Sequence, residues 1–201
     1  MVSSSQPFAE LILAHGAGAG MHSEFIQDIA ARLTALGILV NCFDFPYMQT
    51  MQQSGKRRPP DRMPILQQAF IKQVQQRTSG LPLFIGGKSM GGRVASMILG
   101  EVPAVAGVCL GYPFHPPGKP QKLRTEHLFE LTKPLLVVQG AKDSFGRASE
   151  ITDYKLPDNV RCQILAAGDH SFKPSKTSGY SHAEHMDTAA GFIHQFIQEQ
   201  L

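Results

Sequence analysis

The chain reads as an α/β fold, a mostly parallel sheet of about six strands with helices on both faces. Three observations predict it. Short runs at 8–14, 38–43, 83–86, 105–110 and 135–138 are apolar at nearly every position rather than at alternate ones, as strands buried on both faces must be, and 160–165 reads as the last strand. Between several of them lie segments whose apolar residues recur three and four apart, one face of a helix. Glycine-rich or acidic turns come after the runs at their carboxyl ends, which is where open parallel sheets build their sites.

The run 8–14 ends at His15-Gly16-Ala17-Gly18-Ala19-Gly20, a loop able to approach a neighbour closely with free backbone N–H groups. Phe25, Ile26, Ile29, Ala30, Leu33 and Leu36 form one helical face, and Gly37 stops it as a left-handed cap. The strand 38–43 closes on Asp44-Phe45-Pro46. Residues 47–62 read as a long loop, functional by its length, with Lys56-Arg57-Arg58 as the one dense basic cluster. Pro64 suits the first turn of a helix that carries Leu66, Ala69, Phe70 and Val74 inward. A short helix after position 90 is stopped by Gly100 and Pro103. Four prolines, Pro113, Pro116, Pro117 and Pro120, mark 111–133 as loop with at most a helical turn at 126–131. Ser181 and Glu184 form a capping box opening a last helix to about Gln200.

The 201 residues are read as one domain, 1–201. A net charge of +3, with no basic stripe, argues against nucleic acid. No apolar run approaches the ~20 residues of a membrane span, and 1–10 lacks the pattern of a signal peptide. Cys42, Cys109 and Cys162 are an odd number without disulfide or metal spacing. A cytoplasmic protein without metal or cofactor is expected.

The chemistry concentrates in Leu83-Phe84-Ile85-Gly86-Gly87-Lys88-Ser89-Met90-Gly91-Gly92. Gly87-x-Ser89-x-Gly91 between an apolar strand and a small-residue helix is the nucleophile-elbow pattern. The turn is so tight that residues two before and two after the serine must be small. The plain alternative is a strand-to-helix turn without chemistry. A phosphate-binding loop is ruled out, because its first glycine would fall at Pro82. A serine hydroxyl needs a base, and the base needs an orienting acid. In the order serine, acid, histidine, the strand ends offer Asp143 and His170. Asp169, adjacent to the histidine, is read as a turn former. Donors for an oxyanion are expected from the Met90 N–H and from the glycine loop, most directly the Ala17 N–H. His15 would brace that loop. His115 and His127 are candidates to line a pocket, and His22, His182, His185 and His194 read as ordinary helix residues.

These motifs together resemble the α/β-hydrolase superfamily, near its dienelactone-hydrolase-like members. More narrowly, Phe45-Pro46-Tyr47-Met48 with Gly55-Lys56-Arg57-Arg58-Pro59-Pro60-Asp61 resembles the small proteins related to the testis-expressed hydrolase-like protein and the hydrolase-like domain of an NSL chromatin-complex subunit. The resemblance implies an α/β-hydrolase fold with a reduced leading hairpin, no lid domain, and a Ser89-Asp143-His170 triad. It implies no substrate. Dienelactone hydrolases use a cysteine nucleophile, and Ser89 departs from that. The expected activity is a serine hydrolase acting on a small ester or thioester through an acyl-enzyme on Ser89. Tyr47, Arg57, Arg58 and Phe114 are the expected substrate-binding residues, the arginines implying an anionic small-molecule substrate. The competing reading is a non-catalytic scaffold that kept the fold.

Overall fold

The computed structural model describes residues 6–201; the first five residues of the segment read for a signal peptide lie outside them. Six strands, β1 (Ala9–Ala14), β2 (Ile38–Phe43), β3 (Leu83–Lys88), β4 (Ala106–Leu110), β5 (Leu135–Gly140) and β6 (Val160–Leu165), form one sheet in the order β2-β1-β3-β4-β5-β6. Every neighbouring pair in it is parallel. All carboxyl ends therefore lie on one edge. The order reverses between β1 and β3, so the loops leaving these two strands diverge and open a crevice.

The continuous apolar runs are explained by two cores. Leu11, Leu13, Phe84, Val108 and Val138 face one layer, with α1 (Glu24–Ala35) and α6 (His182–Glu199). Ile12, Ala14, Ile85, Cys109 and Val137 face the other, with α2 (Pro46–Ser54), α3 (Met63–Gln75) and α4 (Met90–Ile98). Successive residues point to opposite faces, yet both faces are covered. Burying a side chain such as Phe70 or Phe84 completely contributes roughly 2–3 kcal/mol, and both are fully inaccessible.

The caps fall where the residue types require. Gly37 ends α1 with φ 84°. The Ser181 hydroxyl accepts from the Glu184 N–H at 3.2 Å, and Glu184 accepts from the Ser181 N–H at 2.6 Å, opening α6. Two expectations need correction. The stretch 47–62 is not all loop: α2 begins with Pro46 in its first turn and ends at Gly55 in the left-handed conformation. Its Tyr47 and Met48 bury against the Phe43, Phe45 and Phe70 cluster. And β3 runs through Gly86 and Gly87 to Lys88 rather than stopping at the glycines. The connection 111–134 carries a single 3-10 turn, Glu126–Glu130, and no lid.

His127 sits in that turn and does not line the candidate site. Its Nε2 lies 2.9 Å from the Ser96 hydroxyl on α4. Burial, with the nearby Arg93 charge, pushes its imidazole down to about 4. The unfolded chain therefore binds a proton at this site below about 6.5 that the folded chain refuses until about 4. Its contribution to stability is complete above 6.5 and is lost as the pH falls through this window. His127→Gln, which cannot titrate, should lose less stability than the parent between pH 6.5 and pH 4 in urea denaturation. An identical loss in both proteins would show that His127 does not carry this dependence.

Candidate active site

The site begins with an impossible side chain. A Cβ on Gly87 would lie 2.5 Å from the Gly91 carbonyl carbon and 2.7 Å from the Ala14 carbonyl oxygen. A Cβ on Gly91 would lie 2.5 Å from the His15 carbonyl oxygen. These neighbours are backbone and cannot rotate away, so strand, helix and the end of β1 meet there only through glycine. Ser89 between them has φ 52° and ψ −114°, a conformation costing about 1–3 kcal/mol for a residue with a Cβ. The Ser89 N–H donates to Leu110 O at 2.9 Å and the Arg93 N–H to Ser89 O at 3.0 Å, holding it there.

From this turn the Ser89 hydroxyl reaches His170. Oγ lies 2.9 Å from Nε2, and Nδ1 lies 2.7 Å from Asp143 Oδ2. A carboxylate only accepts, so Nδ1 carries the proton and Nε2 is left to accept from the hydroxyl. Asp143 is fully buried, and its charge is met by two more donors, Gln139 Nε2 at 2.9 Å and the Phe145 N–H at 2.8 Å. The Phe145 ring lies against the imidazole, tilted by 34° with 4.4 Å between centroids. Asp169 instead turns onto its own loop, accepting from the N–H groups of Ser171 and Lys173.

The glycine loop after β1 is held from β2. His15 Nδ1 donates to Gly16 O at 2.7 Å, which leaves Nε2 to accept from the Phe45 N–H at 3.1 Å. Burial pushes this imidazole's pKa down, so His15 is neutral. Its 3.4 Å approach to Asp44 is accordingly a polar contact and not an ion pair. Asp44 instead accepts from the Met21 N–H and Gln52 Nε2, each at 2.7 Å. Tyr47 is fully buried, and its hydroxyl donates between Gly16 O at 3.2 Å and Ala17 O at 3.1 Å. Ala17 lines the cavity, and among the described residues its N–H has no protein acceptor. The Met90 N–H opens α4, where no earlier turn of helix offers a carbonyl.

A cavity of about 360 Å³ lies over Ser89 and His170, walled by Ala17, Ala19, Phe25, Ile26 and Phe145. It is open to solvent and mostly apolar. The structure brings Ser89, His170, Asp143 and Ala17 together, with Met90 next to the serine. It does not bring the other expected residues there. Tyr47 supports the loop from below. Phe114 is buried in the core beside Tyr112 and Tyr154. Arg57 and Arg58 are exposed beyond α2 and outside the cavity, Arg58 pairing with Asp61 at 3.1 Å. His115 is also buried elsewhere, its Nδ1 donating to Pro116 O.

Four residues went unseen in the sequence. Gln139 closes β5 with no motif around it. Lys88, inside the elbow, is nearly buried, its Nζ donating to His170 O at 2.6 Å. Burial pushes its ammonium down to about 8 against the opposing pull of Asp143 and Asp169. His182 and His185 hold the carbonyls of Ser171 and Phe172 at 3.0 and 2.8 Å, a role that their helical spacing hides. A second, more polar cavity of about 370 Å³ runs along β2 beside Glu10 and Ile12 of β1 and the end of α3, where Glu10 accepts from Asn41 and Ser79 and faces Arg77. No histidine lines it. Among the described residues no three His, Cys, Asp or Glu side chains cluster as metal ligands would.

Comparison with known proteins agrees with this architecture. The family model described as "Alpha/beta hydrolase domain" matches residues 7–198. Among solved structures, XC6422 of Xanthomonas campestris, described as an α/β serine hydrolase without lid, superposes with a TM-score of 0.73 at 17% identity, covering 98% of this chain and 85% of that one. A dienelactone hydrolase from Anabaena variabilis superposes at 0.70 with 18% identity, covering 96% and 87%. The esterase domain of a Rhodothermus marinus protein does so at 0.69 with 15% identity, covering 98% and 89%.

Tyr47→Phe removes the hydroxyl that holds two loop carbonyls. Urea denaturation should show a loss of about 1 kcal/mol, and amide exchange at residues 16–19 should quicken. Unchanged exchange there would mean that the loop holds its shape without Tyr47.

Proposed function

The chain belongs to the alpha/beta hydrolase domain family, and on that premise we propose that it is a serine hydrolase cleaving a small carboxylic ester or thioester. The observation that carries this reading is the unbroken relay Asp143–His170–Ser89, with spacings of 2.7 and 2.9 Å, opening into the cavity. Ser89 Oγ attacks the substrate carbonyl as His170 Nε2 takes its proton. The carbonyl oxygen, now negative, accepts from the N–H groups of Met90 and Ala17. The imidazolium, steadied by Asp143, then gives the proton to the departing alcohol or thiol. Water, deprotonated by the same Nε2, cleaves the acyl-enzyme and restores Ser89.

The walls argue for a small, apolar acyl group. Among the described residues, Lys88 and His170 are the only charge-bearing side chains on them, and the arginine cluster that would favour an anion stands outside. Ester and thioester share the acyl-enzyme and differ in the leaving group alone. The free state of Cys42, Cys109 and Cys162 suits a reducing compartment, and a cytoplasmic location is part of the same proposal. So is the narrower kinship carried by Phe45 to Met48 with Gly55 to Asp61; of these, Phe45 and Tyr47 bond His15 and the loop after β1. A non-catalytic scaffold is the alternative. The three donors that converge on the buried Asp143 carboxylate weigh against it.

A fluorophosphonate probe should label the protein once, and Ser89→Ala should abolish labelling and lower kcat on p-nitrophenyl acetate by ~10⁴ or more. Asp143→Asn should cost on the order of 10³–10⁴ by losing the tautomer. Activity should fall on acidification, since only a neutral imidazole accepts from Oγ. An unlabelled wild-type protein would leave the scaffold reading standing. Should Asp169→Asn cost more than Asp143→Asn, the acid has been misassigned.

A further inference from the structure

We propose that Lys88 is a positioning residue, a buried cationic clamp that sets the height of His170 above Ser89; this rests on the serine-hydrolase reading. Lysine is seldom buried, because its charge loses water that the interior must replace. Lys88 is only 8% exposed. Its side chain leaves the end of β3 and places Nζ 5.3 Å from the centre of the Phe25 ring and 2.6 Å from the carbonyl of His170 itself. Space for the ammonium is made at the end of β4. A Cβ on Gly111 would lie 2.9 Å from Nζ and 3.0 Å from His170 O.

Among the described residues no other group hydrogen-bonds the main chain of His170. The adjoining carbonyls of Ser171 and Phe172 are held by α6, and the loop contains two non-glycine residues with positive φ, Ala167 at 58° and Phe172 at 65°. The local bonds of this loop run through Asp169, Phe172 and Lys173 and leave the His170 carbonyl to Lys88. Lys88 and Ser89 are consecutive, so the clamp ties the base to the same turn that presents the hydroxyl. A protonated amine suits the task, because a charge-assisted bond is stronger than a neutral one.

The titratable groups facing the ammonium are Asp143 and Asp169, which favour its charge, and His170. Burial nevertheless pushes its ammonium down to about 8, so the clamp weakens in mild alkali.

Two measurements test this. The first needs no turnover. Nδ1–H of His170, held by Asp143, should give a downfield proton resonance in the free protein. It should be sharp at pH 7 in the wild type and broadened at the same pH in Lys88→Met, which keeps the length of the side chain and removes the donor. The second is kinetic. Lys88→Met should lower kcat on p-nitrophenyl acetate by about 10- to 100-fold, the effect of a small misplacement of the base, with KM within about twofold, and should lack the wild type's alkaline decline. If Lys88→Met fails to fold, Lys88→Gln, which removes the charge and shortens the side chain, is read by the same two measurements. A resonance that stays sharp in Lys88→Met overturns the proposal. So does a variant whose kcat falls no more than twofold. If the wild type neither hydrolyses esters nor takes the fluorophosphonate, the hydrolase reading fails, and the resonance still reports whether Lys88 holds the imidazole.

Discussion

At the end of β3 the chain must reverse within one residue and start α4, and it does so where the backbone of β1 already occupies the space. Gly87 and Gly91 touch each other and the carbonyls of Ala14 and His15 at distances that exclude any side chain. The rest of the carboxyl edge depends on this contact. It forces Ser89 to positive φ and brings the loop after β1 against the first turn of α4. It also lies where the strand order reverses, so the strained residue faces the crevice rather than another strand. The strain, of order 1–3 kcal/mol, is offset by backbone bonds to Leu110 and Arg93 and by the packing of Val94 and Ala95 beneath.

Around this turn, three loops from three strand ends carry the groups that could act with Ser89. None is held by its own residues alone. The β1 loop is fixed by His15, Phe45 and Tyr47, the last two from the chain beyond β2. Asp143 is fixed by Gln139 from inside β5 and by the Phe145 N–H. The His170 loop is fixed by Lys88 from β3 and by two histidines of α6. Leaving a buried polar group unpaired costs about 1–3 kcal/mol, so each of these bonds resists loss and holds its loop to one position. The apolar cavity then needs few polar groups of its own.

Much of this was legible in the sequence. The strands were readable because burial on both faces leaves no room for polar alternation, and the elbow because its steric rule is local, acting over five residues. Asp143 and His170 were candidates by their place after strands, and they meet because parallel strands deliver the turns at their carboxyl ends to one edge. The errors have a common source. Tyr47, Phe114, Arg57 and Arg58 were placed at a pocket because their segments leave the right edge of the sheet. A segment's starting point does not say which way its side chains turn. Tyr47 lies on a helix begun by Pro46, which aims its ring into the core, and Phe114 is drawn to Tyr112 and Tyr154 by apolar burial.

The sequence by itself determined the parallel sheet, the glycine-bound turn at Ser89 and the order in which the polar residues arrive at its edge. These come from forces acting along the chain: periodicity of burial, steric exclusion at a turn, capping at a helix end. Only the tertiary structure decided which of those residues meet, that Lys88 within the motif reaches across to His170, that Gln139 turns its amide to Asp143, and that the basic cluster stays outside. Those outcomes depend on directions and distances between segments far apart in the chain, set when both layers of helices close on the sheet and buried donors must find the acceptors that packing has placed beside them.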